Sequence, residues 1–98
     1  MDQTTAEVGS LQDVLAALSD PVRLEMVRRL ATAEEPVACS LLYDGINKST
    51  ASHHFKILRE AGLIERSTRA GQTCQRLRRD AVEDAFPGVL SSVIAAAG

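Results

Sequence analysis

Residues 48–79 read KSTASHHFKILREAGLIERSTRAGQTCQRLRR, and their hydrophobic period changes partway along. The first half repeats as a helix. On a 100° wheel Ala51, Phe55, Leu58 and Gly62 fall in one inward arc, while Ser49, His53, Lys56 and Glu60 fall opposite. Asn47 is placed to cap this helix, and Gly62 to stop it in the left-handed conformation, which predicts a helix from about Lys48 to Ala61. After Leu63-Ile64 the pattern alternates, turns at Arg69–Gln72, and alternates again through Cys74, Arg76 and Arg78. That is the pattern of a β-hairpin carrying arginines.

Working outward, Ser10 and Asp13 frame a capped first helix with Leu11, Val14, Leu15 and Leu18 on one stripe. Asp20-Pro21 restarts a helix at once, with Val22, Met26, Val27 and Leu30 at helical spacing. Pro36 introduces the short apolar run VACSLLY, expected as a third, brief helix ended by the Asp44-Gly45 turn. Beyond the hairpin, Asp80 and Glu83 suggest a capping box. Pro87-Gly88 then interrupts, and Leu90, Val93, Ile94 and Ala97 form a last apolar stripe. Helices, a tight turn, a polar-faced helix and one hairpin predict an α+β, mostly helical fold: a winged helix-turn-helix with a single β-hairpin wing and terminal dimerisation helices. The expected organisation is a flexible segment at 1–9 and one domain at 10–98, with dimerisation helices at about 10–19 and 87–97.

A chain of 98 residues with 45% hydrophobic side chains holds one modest core. Little of that core is spare for hiding both terminal stripes. A homodimer is therefore expected, joined by Leu11, Val14, Leu15 and Leu18 with Leu90, Val93 and Ile94. No apolar run approaches the roughly 18 residues of a membrane span, and two cysteines are too few for a secreted disulfide scaffold. A soluble, cytoplasmic protein is the expectation. The net charge of -2 conceals a division: residues 47–79 carry eight cations against two carboxylates, between acidic flanks. A local basic block of this kind suits a polyanionic partner.

His53 and His54 cannot chelate one metal, because neighbours on a helix point about 100° apart. No nucleophile motif, Gly-rich phosphate loop or carboxylate pair accompanies them, so an enzyme is not expected. His53 shares the outer face with Ser49 and Lys56; His54 lies on the shoulder of the buried stripe, as a packed imidazole. Short hydroxyls and a cation at the start of an exposed helix are the groups that bond phosphates and base edges in a major groove.

The stretches LSDPVRLEMVRRL and KSTASHHFKILREAGLIERSTRAGQTCQRLRRD together resemble the arsenic-repressor (ArsR) family of bacterial winged-helix transcriptional repressors, over about Leu15 to Asp80. The run from Ser52 to Leu63, with its doubled histidine, is the more specific part. The resemblance implies a recognition helix at Asn47–Ala61, a wing at Glu65–Arg78 and dimerisation through the first and last helices. On double-stranded DNA the recognition helix would offer Lys48, Ser49, Thr50, Ser52, His53 and Lys56, and the wing Arg66, Arg69 and Gln72. Two copies about a two-fold axis imply an inverted-repeat operator, with repression by occlusion. Members that sense metals carry paired cysteines in the third helix, or Asp and His in the last. Here Cys39 stands alone and residues 80–98 contain no histidine. No metal site and no cofactor are expected. Cys39 and Cys74 leave a redox-gated repressor open as an alternative to structural thiols, and a winged-helix module that binds protein is the rival of another class.

Overall fold

In the computed structural model, which describes residues 7–97, the chain runs α1 (Leu11–Leu18), α2 (Pro21–Ala31), β1 (Val37–Ala38), a 3-10 turn (Cys39–Leu41), α3 (Lys48–Glu60), β2 (Ile64–Arg69), β3 (Gln72–Leu77), α4 (Arg79–Ala85) and α5 (Val89–Ala97). This is the winged helix-turn-helix. Ser10 and Asp13 form a reciprocal capping box on α1. Asp20 accepts from the amides of Val22 and Arg23 with Pro21 in the first turn of α2. Burial alone would raise the Asp20 pKa, but those two amides, the Arg23 cation and His54 together hold it below the ordinary value.

The apolar run after Pro36 differs from expectation. Val37 and Ala38 pair antiparallel with β3, opposite Gln75 and Cys74, and only Cys39–Leu41 turn helically. A short apolar run has no decisive period of its own, so the free edge of β3 decides it. The sheet order is β1-β3-β2. β2 and β3 are joined through Ala70 and Gly71, at φ 52° and 78°, which is the two-residue primed turn that matches strand twist.

A second difference lies after the wing. Arg78 precedes α4 without any side-chain cap, and Glu83 reaches forward instead. Its carboxylate accepts from Gly88 N at 2.9 Å, Ser91 N at 3.1 Å and Ser91 Oγ at 2.9 Å, tying the start of α5 to α4. Those bonds, the Gly88 amide first, lower the Glu83 pKa. The Pro87-Gly88 break turns the chain back and puts the Gly88 amide and the first-turn Ser91 amide of α5 within reach of Glu83.

The third difference concerns the terminal stripes. Val14, Leu18 and Leu90 are all buried within the protomer, among Met26, Val27, Leu30, Leu58 and Val82. They are core residues and not surface for a partner chain. Leu11 and Leu15 remain exposed at 37% and 44%, and Val93 and Ile94 are half-buried. The flexibility expected for residues 1–6 lies outside the described residues. Residues 7–9 lie against the end of α3, where Gly9 N donates to Ala61 O at 2.9 Å.

Candidate nucleic-acid interface

α3 is clamped at both ends. Asn47 Oδ1 accepts from Thr50 N at 2.8 Å at its start. At its end Gly62 N donates to Arg59 O and Leu63 N to Leu58 O, the paired bonds of a Schellman stop, with Gly62 at φ 81°. The stop is crowded as well as left-handed, since a Cβ on Gly62 would sit 2.5 Å from Glu7 O. Ala51, Phe55 and Leu58 fill the core beneath the helix. The wing is fastened to the same end, because Arg78 N donates to Leu63 O at 2.8 Å and its Nη1 to Gly62 O at 3.0 Å.

The two histidines separate. His53 is exposed, whereas His54 is half-buried with Nδ1 3.1 Å from Arg23 Nη1. A guanidinium only donates, so His54 Nδ1 is the acceptor in this contact. Arg23 also donates from Nε to Ala17 O at 2.7 Å and from Nη2 to Ala16 O. One arginine thereby joins the end of α1, α2 and the middle of α3, and fixes which face of α3 turns outward.

That outward face carries Lys48, Ser49, Thr50, Ser52, His53 and Lys56, all exposed, while Arg66, Arg69 and Gln72 stand exposed on the wing. Their pairing divides them. Of eleven Lys and Arg in the chain, seven are occupied. Arg28 and Arg29 share Glu25, and Arg29 continues to Leu41 O and Asp44. Arg69 meets Glu35 at 3.1 Å, Arg76 meets Glu65, and Arg23, Arg78 and Arg79 donate to main-chain carbonyls. Among the described residues, Lys48, Lys56, Arg59 and Arg66 are the four cations left without a protein partner, and all lie on α3 or the adjacent strand of the wing. Unneutralised, their field projects from one side of the molecule.

Between α3 and the wing lies a cleft of ≈ 520 Å³ lined by Lys48, Ser52, Arg59, Arg66 and Gln72 over a floor that includes Gln75. Arg59 was absent from the residues expected for this surface. Lys48, Ser52 and Arg59 recur four and seven residues apart, a second helical stripe beside that of Ser49, His53 and Lys56, and only this spacing could have flagged it.

The two thiols are apart in environment. Gln75 Nε2 donates to Cys39 Sγ at 3.5 Å, while Cys74, next to Gln75 on β3, points to the other face of the sheet and is buried. Among the described residues no three of His, Cys, Asp and Glu gather where a metal ion could be held, and no helix is long and apolar enough to cross a membrane.

A family profile for the helix-turn-helix domain matches residues 18–67, which span α2 through β2. A Bacillus subtilis (strain 168) protein described as an HTH-type transcriptional regulator, YceK, is 35% identical over 82 residues, covering 82% of each chain. The transcriptional repressor BigR from Xylella fastidiosa superposes with a TM-score of 0.66 at 27% identity, over 88% of this chain and 84% of that one. A homodimeric winged helix-turn-helix DNA-binding domain from Mycobacterium bovis, Mb0332, a possible ArsR-family regulator, gives 0.67 at 26%, over 88% and 78%. With the outward α3, the hairpin wing and these relatives in agreement, the chain belongs to the helix-turn-helix domain family, as a winged helix-turn-helix transcriptional regulator of the ArsR type.

Proposed function

We propose that the protein is a homodimeric repressor that binds an inverted-repeat operator in double-stranded DNA and acts by occlusion, in a bacterial cytoplasm. The carrying observation is the set of four unpartnered cations on α3 and β2, because counterion release from phosphates needs lysines and arginines that no carboxylate already holds. Ser49, Ser52 and His53 would meet base edges in the major groove, while Lys48, Thr50, Lys56 and Arg59 meet phosphates beside them. Arg66 and Gln72 would reach the backbone or minor groove from the wing. Arg69 would join them only by exchanging Glu35 for a phosphate, so it ranks behind Arg66. This is a binding function with no catalytic step.

The dimer would use what the protomer core leaves over: Leu11 and Leu15 of α1 with Val93 and Ile94 of α5. The homodimeric Mycobacterium bovis domain supports that assembly. The test is fluorescence anisotropy against genomic duplexes at two salt concentrations, with sedimentation of wild type and a Leu15→Glu, Ile94→Glu double variant. Affinity that falls as salt rises, with monomers from the double variant, is the expected outcome. Salt-independent binding sinks the phosphate-contact reading, and unchanged sedimentation sinks the interface.

A further inference from the structure

The cleft between α3 and the wing has a floor unlike its rim. Gln75 is 1% exposed, and its Oε1 is buried without a partner while its Nε2 is held by Cys39 Sγ. Buried side-chain amides are ordinarily satisfied, so this orphan, on a residue that lines the cleft, is a bond the protein itself leaves unmade. The same cleft is lined by Phe55 and Tyr43, whose rings pack edge-on with centroids 6.3 Å apart. Lys48, Arg59 and Arg66 line it too, and among the described residues no aspartate or glutamate does. Its ≈ 520 Å³ falls within the range of small-molecule pockets.

We infer that this cleft binds a small aromatic carboxylate bearing a hydroxyl, and that its occupation opposes DNA binding. The parts of the ligand follow from the parts of the cleft. A hydrogen-bonding group at one end meets Gln75, and a phenol suits it because it donates and accepts, satisfying the amide in either orientation. A flat apolar body lies against Phe55 and Tyr43. An anion at the far end takes Arg59 and Arg66, whose planar forks match a carboxylate. Those arginines, with Lys48, belong to the cation set proposed for phosphate contact, so a bound carboxylate removes them from DNA. The opposition rests on the DNA-binding reading; the pocket does not.

The experiment titrates the full-length chain with 4-hydroxybenzoate by calorimetry, beside benzoate, which lacks the hydroxyl, and 4-hydroxybenzyl alcohol, which lacks the carboxylate. Expected is saturable binding of one 4-hydroxybenzoate per chain, about tenfold tighter than either comparator, since each lacks one bond to a buried or charged group. Gln75→Leu should erase the advantage over benzoate while leaving DNA binding intact, and Arg66→Ala should erase the advantage over the alcohol. Should a variant misfold, magnetisation transfer from ligand ring protons to the Phe55 and Tyr43 rings of the wild type gives the same answer. No saturation at millimolar ligand, or three equal affinities, overturns the site. Ligand binding in the cleft without release of a bound duplex overturns the opposition alone. A chain that binds the ligand and never binds DNA keeps the site and refutes the repressor.

Discussion

Arg28 and Arg29 of α2 both hold Glu25, and Arg29 reaches on to Leu41 and Asp44, so this corner of the molecule is electrically closed and fastens the turn ahead of α3. Lys56, Arg59 and Arg66 lie on α3 and β2, where, among the described residues, no carboxylate pairs with them. The same residue type therefore does two jobs. In α2 it braces the scaffold; at Arg59 on α3 and Arg66 on the wing it has no protein partner, unlike Arg69 and Arg76 of the same hairpin. Pairing, and not charge count, separates the two, which is why a chain of net charge -2 can carry a surface for a polyanion.

The contrast breaks most readily by removing the ready set. Replacing Lys48, Lys56, Arg59 and Arg66 by Ala together should weaken duplex binding roughly a thousandfold near 0.1 M salt, and flatten the salt slope by roughly 0.9 for each phosphate no longer neutralised. The thermal midpoint should hardly move. An equal drop in affinity from Arg28→Ala with Arg76→Ala would dissolve the distinction. On the scaffold side, Arg23→Leu should reverse the signature, costing about 1–3 kcal/mol in urea unfolding, because the Ala17 carbonyl and His54 lose the Arg23 donor, while Ala16 O keeps its bonds from Ser19. A cost under about 0.5 kcal/mol, the range of ordinary surface changes, would show that Arg23 braces nothing.

The Glu25 cluster predicts a smaller, pH-dependent effect. Hydrogen bonds from Arg28 and Arg29 hold the Glu25 carboxyl at about 2, below its ordinary 4.5. A carboxyl whose folded pKa is depressed adds stability in full above the unfolded value and loses it as pH falls through the folded one. The stability difference between wild type and Glu25→Gln should therefore be constant above pH 5 or so and shrink from about 4.5 down to about 2. Its size is modest because the side chain is over a third exposed. Thermal melts of both proteins across that range read it, and a difference that grows on acidification contradicts the assignment. Least of all, Ala70→Asn should add about 0.5–1 kcal/mol, since Asn tolerates φ 52° better than Ala at this turn position. No gain in midpoint would place the strain elsewhere.

Features legible in the sequence were those a few neighbours decide. The Ser10, Asp20 and Asn47 caps, the Gly62 stop and the Arg69–Gln72 turn each depend on residues within one turn of chain, and each stands where its pattern put it. Illegible features needed a partner from afar. Val37 and Ala38 became a strand only because β3 had a free edge, and Glu83 turned forward only because the Pro87-Gly88 break brought Gly88 and Ser91 to it. Val14 and Leu90 share one apolar stripe type with Leu15 and Ile94, and no periodicity says which of them a protomer keeps for itself. At the candidate site, the outer face of α3 followed from its wheel. The pairing that separates Arg66 from Arg69 followed from Glu35, which comes from the chain ahead of β1.

The crossing at Gly62 has a practical corollary for anyone who handles this protein. Glu7 and Val8 pass so close to that glycine that no side chain fits between, and Gly9 is bonded to the carbonyl of Ala61. The leading segment of the domain is thus riveted to the tail of the very helix that would read a base sequence. A purification handle, fluorophore or fused domain introduced at residues 7–9 is mechanically attached to that reading head, and its drag is felt there first. Probes meant to report on DNA without disturbing it belong on an exposed position away from this joint, such as Ser92 on α5.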